Sequence, residues 1–424
     1  MSLCVVKTEK GTLIGEKKEG YTLFAGIPYA KAPIGARRFQ PPQAMEEPFG
    51  ELVCSQFRAI CPQGTPVPGS FYEKEFYRED WKQVFCKEDC LYLNIWTPAC
   101  QEDEKLPVLF WIHGGALNHG YGHEIEFDGA EYCKQGVILV TINYRVGIWG
   151  FLSHPQVNGG IANMGIRDQI CALNWVYENI GAFGGDPHAI TVAGQSAGGF
   201  SVQALLTSKL TEGKIAAAIM QSGGGINPEF HWCISKEQAW KNAEEFCLKQ
   251  GIEHMEALNT MSQEELQELA EEFPCALAVD GTVLQQDCNE AMEQGKYPAI
   301  PYLVGSNRND LDVTEEMLQQ GIPSAFYMGA KTFADHAAEK GLPVYVYLFA
   351  HSLPGDKAGS FHSAELWYMF GTLSRCWRPM KEEDRVLSEQ MVACWSSFVK
   401  EGRPKASGLE WKQYKAEDMF IMEF

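Results

Sequence analysis

The chain has 424 residues, with 35 Lys and Arg against 55 Asp and Glu, for a formal net charge of −20. Hydrophobic residues at 45% and aromatics at 12% suffice for a buried core and exclude a disordered chain. So acidic a balance excludes a polyanionic partner, because phosphate recognition needs clustered Lys and Arg; neither nucleic acid nor an anionic membrane surface is expected.

The first residues, Met1 to Val6, run into Lys7, Glu9 and Lys10 with no apolar h-region, so no secretory signal is expected. The longest apolar run, Val137–Ile142, falls far short of the roughly 20 residues that span a bilayer, and no membrane segment is expected. The 14 cysteines include no C-x-x-C and no Cys/His cluster at zinc spacing. They read as reduced, mostly buried thiols of a cytoplasmic protein, with no structural metal.

Residues 62–80, rich in proline turn signals and then in mixed charge, read as a long surface loop. Short apolar runs follow at Cys90–Trp96, Pro107–His113, Gly136–Tyr144, Ala189–Ala193, Ala216–Gln221, Pro301–Gly305 and Pro343–Phe349. Helical stretches alternate with them at Arg167–Ile180, Gly198–Ser208, Lys236–Gln250, Gln263–Glu272 and Glu383–Lys400. That alternation predicts a mainly parallel sheet covered by helices. In the last helix Val386, Leu387, Met391, Trp395 and Phe398 form a stripe that turns one face to the core. Acidic runs such as Glu264-Glu265 and Glu271-Glu272 read as solvated helix faces. No repeat or low-complexity linker divides the chain, and one domain over 1–424 is expected.

The chemistry concentrates at Gly194-Gln195-Ser196-Ala197-Gly198, between a strand and a helix. In that setting G-x-S-x-G is a sharp turn whose flanking glycines avoid neighbouring backbone and whose serine stands exposed with strained φ/ψ. A serine nucleophile needs a base, an orienter for the base and donors for an oxyanion. The strand ending in His113-Gly114-Gly115-Ala116 offers backbone N–H groups free of bulky side chains, and Ala197 offers another at the helix start. His113 itself reads as a residue that packs the loop. For the acid, Asp310 lies in the loop after Pro301–Gly305, with Asp312 as competitor. For the base, His362 follows the last strong strand, with His351 as runner-up. His119, His123, His154, His188, His231, His254 and His336 precede these elements or lie between them.

These residues and several further motifs resemble the type-B carboxylesterases, the cholinesterase-like branch of the α/β-hydrolases. The resemblance rests on Phe24–Ala30 with Arg38-Phe39, on Glu88-Asp89-Cys90-Leu91-Tyr92-Leu93-Asn94 and on Asn143-Tyr144-Arg145. It continues through Asp168-Gln169 to Phe183–Pro187, and so covers nearly the whole chain. It implies an α/β-hydrolase fold: a large, mixed, mostly parallel sheet covered by helices on both faces. It implies Ser196 as acyl nucleophile, Asp310 as acid, His362 as base, and Gly115, Ala116 and Ala197 as oxyanion donors. Ser222 would support the acid, and Cys61 and Cys90, which match the family's first disulfide pair, would lie adjacent and need no bridge in a reducing cytosol. No cofactor is implied, and the partner would be a small-molecule ester.

The chain departs from the family at Gln195, where Glu is common, at Ala116, where a third Gly is common, and at Asp310, where Glu is usual. Asp310 and His362 are only 52 residues apart. A reduced cap around 313–342 and a more open, promiscuous site are therefore expected. Glycines 223–225 would leave space beside the nucleophile, and Phe230, Trp232, Phe361 and Trp367 would form an apolar wall. The expected substrates are small to medium esters with short acyl or aromatic groups. Feruloyl or chlorogenate-type esters are the specialised alternative, and a non-catalytic binding protein the remote one.

Overall fold

The computed structural model describes residues 3–78, 84–227, 230 and 232–424. Met1, Ser2, His231 and the last two residues of the 62–80 segment lie outside the described residues. The strands in chain order are β1 (Val5–Thr8), β2 (Gly11–Lys17), β3 (Thr22–Pro28), β4 (Gly50–Cys54), β5 (Tyr92–Thr97), β6 (Leu106–Ile112) and β7 (Ile138–Ile142). They continue as β8 (Gly185–Gln195), β9 (Ala217–Gln221), β10 (Cys233–Ser235), β11 (Leu277–Val279), β12 (Tyr302–Asn307), β13 (Val344–Phe349) and β14 (Ile421–Glu423).

Twelve of these described strands form one sheet in the order β1-β2-β3-β5-β7-β6-β8-β9-β12-β13-β14, with β4 paired to β2. Pairings from β1 to β7 along this path are antiparallel. From β7 through β6 to β14 every pairing is parallel. The parallel half is buried on both faces, and the continuous apolar runs of β6 and β7 reflect that. Alternation divides each strand between two cores: Val108, Phe110 and Ile112 pack on one face, Leu109 and Trp111 on the other. Strand order reverses around β6, which lies between β7 and β8. Such a switch point opens a crevice beyond the carboxyl ends of the strands, where ligands of open α/β sheets bind.

The motifs that carry the family resemblance meet in space as clasps. Arg145 donates from Nε and one terminal nitrogen to both oxygens of Asp168, at 2.8 and 2.7 Å, with both side chains buried. Arg38 likewise bridges to Glu88, and the Asn94 amide spans from Gly26 N to Thr141 Oγ1. Cys61 and Cys90 are free, buried thiols close enough to influence each other. Among the described residues no helix is long and apolar enough to cross a membrane, and no cluster of three or more His, Cys, Asp or Glu could hold a metal.

Three features add to the sequence reading or depart from it. The 62–80 segment is not simply a surface loop: a π-helical turn at Glu73–Tyr77 buries Glu75 and Phe76. Glu75 accepts from Arg378 Nε at 3.0 and 3.1 Å, from Trp377 Nε1 at 2.8 Å and from Trp367 Nε1 at 3.2 Å. A partner 303 residues away gives its local sequence no mark. Second, within 313–342, helix Ala325–Glu339 packs Phe326, Ala330 and Phe333 inward beside β12 and β13. Third, Val386 is 46% exposed on helix Glu382–Glu401, while Met391, Trp395 and Phe398 of its stripe are buried.

Candidate active site

The carboxyl ends of β6, β8, β9 and β12 converge. Ser196 N donates to Gln221 O at 2.8 Å, and Ser222 N donates to Gly305 O at 2.8 Å, so adjacent strand ends fix each other. Ser196 has φ 57° and ψ −126° as the first turn of helix Ala197–Thr207 begins. Such a backbone costs about 1–3 kcal/mol and persists only where its surroundings enforce it. The enforcement is visible: a Cβ at Gly198 would lie 2.1 Å from Ile112 O, and one at Gly194 would lie 2.4 Å from Gly198 O. Only glycine permits that approach.

Ser196, His362, Gly114, Gly115 and Ala116 border one cavity of about 500 Å³. Ala116 and Leu117 both have positive φ, 55° and 63°, and a Cβ at Gly115 would lie 2.3 Å from His119 O. His113 is fully buried, stacks on Tyr144 at 4.3 Å and bonds Gly114 O; burial lowers its pKa to about 4, against the opposing effect of the Gly114 bond. It packs the loop, as the sequence suggests.

His362 Nδ1 is hydrogen-bonded to Asp310 Oδ1. Asp310 also accepts from Asn307 N at 3.2 Å and Leu311 N at 3.0 Å. The two loops are laced together: Asn307 Nδ2 donates to Phe361 O and to Glu365 Oε2, each at 2.6 Å, and Asn309 N donates to Ser360 O. Burial alone would lower the His362 pKa, but the Asp310 carboxylate outweighs it and, with Glu365 and Asp312, holds it above 6.5. Burial pushes the Glu365 carboxyl up to about 7. The competitors are engaged elsewhere. Asp312 caps helix Ala325–Glu339 through Ser324 Oγ and Ala325 N, and His351 Nε2 bonds Asp384 at 2.7 Å.

Three expectations about surrounding residues are corrected. Ser222 Oγ is buried and has no hydrogen-bond partner, so it does not hold the acid; backbone amides of Asn307 and Leu311 do. Glycines 223–225 leave no space: a Cβ at Gly223 would lie 2.1 Å from Ser196 O. Phe230 and Trp232 stack on Phe326 and Phe200, and Phe361 and Trp367 pack behind Phe76, so none of the four lines the cavity itself. The aromatic wall is instead Tyr72, Phe76, Tyr77, Trp111 and Phe127.

The sequence reading also passed over His119, Glu124 and Glu126, which line the cavity. Burial pushes Glu124 up to about 7 and Glu126 well above the usual carboxylate range. Glu124-Ile125-Glu126 carries no local signal of burial; an acidic pair two apart in a polar stretch reads as solvated.

Comparison with known proteins identifies the class. The model of the Carboxylesterase family matches residues 2–325 and 322–424, and the chain belongs to that family. It is 33% identical to the para-nitrobenzyl esterase of Bacillus subtilis (strain 168), across 97% of this chain and 93% of that protein. It is 29% identical to liver carboxylesterase B-1 of Rattus norvegicus, across 98% and 89%. A solved PNB esterase structure superposes with a TM-score of 0.86 at 29% identity, covering 99% of this chain and 95% of the other. A Geobacillus stearothermophilus carboxylesterase gives 0.84 at 31%, covering 99% and 96%. The fold is the α/β-hydrolase fold, and the chain is a carboxylic ester hydrolase.

Proposed function

We propose that the chain hydrolyses carboxylic esters through an acyl-enzyme on Ser196, with His362 as base and Asp310 as its orienter. One observation carries this reading: the imidazole bonds Asp310 through Nδ1 and shares the cavity with the strained Ser196. The Nδ1 proton on Asp310 leaves the Nε2 lone pair to take the serine proton. Ser196 Oγ then attacks the ester carbonyl. The N–H groups of Gly115, Ala116 and Ala197 receive the oxyanion, each such donor being worth about 2.7–4 kcal/mol. Ala197 suits that task because the first N–H groups of a helix lack intrahelical acceptors. His362 returns its proton to the leaving alcohol and activates the water that deacylates Ser196.

The cavity of about 500 Å³ and its aromatic wall favour small to medium esters with short acyl or aromatic groups. We further propose a single domain over 1–424 with a shortened cap. In support, the alignment to the Bacillus subtilis esterase spans 473 positions, more than the 424 residues of this chain. The family match also divides at residues 322–325, between Asp310 and His362.

Hydrolysis of p-nitrophenyl acetate, butyrate and octanoate by wild type and Ser196→Ala tests the proposal. The mutant should lose several orders of magnitude in rate, and the chain-length profile should size the acyl pocket. Equal rates in both proteins would remove Ser196 from the mechanism.

A further inference from the structure

The 14 cysteines are free thiols, and two of them meet from distant parts of the chain behind the Ser196 turn. Cys233 opens β10, and Cys288 is the first residue of helix Cys288–Glu293. Their thiols are close enough to influence each other, with Cys288 buried and Cys233 half-buried. The surrounding hydrogen bonds hold the two segments together. Asn289, next to Cys288, donates from Nδ2 to Asn227 O at 2.7 Å and to Phe230 O at 3.3 Å. Gln203 Nε2 donates to Asn289 Oδ1 at 3.2 Å and to Gly225 O at 2.6 Å, and Thr207 Oγ1 donates to Cys288 Sγ at 3.8 Å. Gln203 and Thr207 belong to helix Ala197–Thr207, which begins at the elbow. Trp232, next to Cys233, stacks on Phe200 of that same helix at 4.6 Å.

From this juxtaposition we infer that Cys233 and Cys288 are a redox-closable pair, which a peroxide converts into a disulfide joining β10 to helix Cys288–Glu293 and bracing the elbow helix from behind. A disulfide forms without backbone movement only where two side chains already approach, and these do. The half-buried Cys233 is the sulfur a small oxidant reaches first. Its thiolate attacks one peroxide oxygen, the O–O bond breaks, and hydroxide leaves as Cys233 becomes a sulfenic acid. The Cys288 sulfur then attacks the sulfenic sulfur, and the S–S bond forms as the hydroxyl departs with the Cys288 proton as water. Two thiols and one peroxide give one disulfide and two waters, the two electrons lost by sulfur being gained by the peroxide. The contact with Cys233, together with burial, holds the Cys288 thiol well above the usual thiol range, which suits the resolving sulfur rather than the attacking one. Closing the chain between residues 233 and 288 restricts the unfolded state, so the oxidised protein is the more stable form.

Peptide mapping after treatment of the native wild type with hydrogen peroxide and alkylation of the remaining thiols tests this. A linked Cys233–Cys288 peptide, two hydrogens lighter than its separate halves, should appear and vanish with dithiothreitol. The melting temperature should be higher by about 2 °C or more in the oxidised form. Cys233→Ser should abolish both the peptide and the shift, as should Cys288→Ser, while Cys61→Ser should keep the linked peptide. Each shift compares two redox forms of one protein, so a variant's own loss of stability does not enter it. If Cys288→Ser folds poorly, Cys233→Ser decides alone, its side chain being half-buried. Separate alkylation of both thiols in peroxide-treated wild type would overturn the inference. So would a linked peptide that forms only in urea, or a melting shift that Cys233→Ser leaves in place. None of these readouts uses Ser196, so they stand or fall apart from the esterase mechanism.

Discussion

The side-chain amide nitrogen of Gln195 lies 3.2 Å from Nε2 of His362, the ring nitrogen opposite the one bonded to Asp310. With the proton on Nδ1, the amide donates to the Nε2 lone pair in the resting site and must give way when Ser196 hands over its proton; the ring is meanwhile held between two partners in its neutral form. Replacing the amide by a carboxylate, in Gln195→Glu, would favour the imidazolium instead. The acid limb of the pH–kcat/KM profile should move to higher pH by about one unit. An unmoved limb would show that residue 195 does not face the ring during turnover.

The wild-type acid limb should itself lie above 6.5, since the base must be neutral and Asp310 raises its pKa. Stability should run the opposite way. A histidine raised in the folded state contributes fully below its unfolded value near 6.5, and that contribution fades as pH rises through the folded value. Asp310→Asn should cost about 10⁴ in kcat, as loss of the orienting carboxylate does in serine hydrolases, and should flatten this pH dependence of stability. Chemical denaturation at several pH values, beside kinetics, checks both.

Ser222→Ala removes a hydroxyl that bonds nothing. Stability should stay within about 1 kcal/mol of wild type or rise slightly, because a buried unsatisfied group is deleted. The kcat should change less than about threefold, since the acid is held by backbone amides. A loss of a hundredfold would restore Ser222 as a support of the acid.

Gly198→Ala should be severe. Its new methyl would meet Ile112 O at 2.1 Å, where backbone rather than a flexible side chain must yield. A loss of about 2–4 kcal/mol in urea denaturation is expected. Residual folded protein should hydrolyse p-nitrophenyl esters far more slowly, because any relief displaces the Ser196 turn.

Arg378→Met strands the Glu75 carboxylate, which Arg378 Nε meets at both oxygens with both side chains buried. Removing one partner of a buried pair costs about 3–5 kcal/mol. Because Phe76 and Tyr77 of the same turn line the cavity, KM for aromatic esters should rise in addition. Thermal melts and Michaelis curves on one preparation separate the two effects.

Much of the site could be read from the sequence because its physics is local. The elbow needs glycine at positions 194 and 198 and the loop after β6 needs glycine at 115, whereas the residues alone left Asp312 beside Asp310 and His351 beside His362, and the family resemblance chose between them. The β-runs that form the parallel half were legible for the same reason, being apolar on both faces. What stayed hidden depends on distant partners. Glu75 looks like one charge in a polar run until Arg378 reaches it, and Glu124 and Glu126 look solvated until the cavity closes over them. Ser222 shows the converse: a serine at a suggestive place is given no partner by its surroundings.

The tie between residues 75 and 378 also orders the making of the protein. A chain emerging from the ribosome exposes the Ser196 turn and its strand long before Arg378 is synthesised. Until then the Glu75 turn has neither its cation nor the indoles of Trp367 and Trp377, and one wall of the cavity is unsupported. The elbow can be assembled in a nascent chain, but the pocket that gives it a substrate waits for Trp367, Trp377 and Arg378, made long after Ser196.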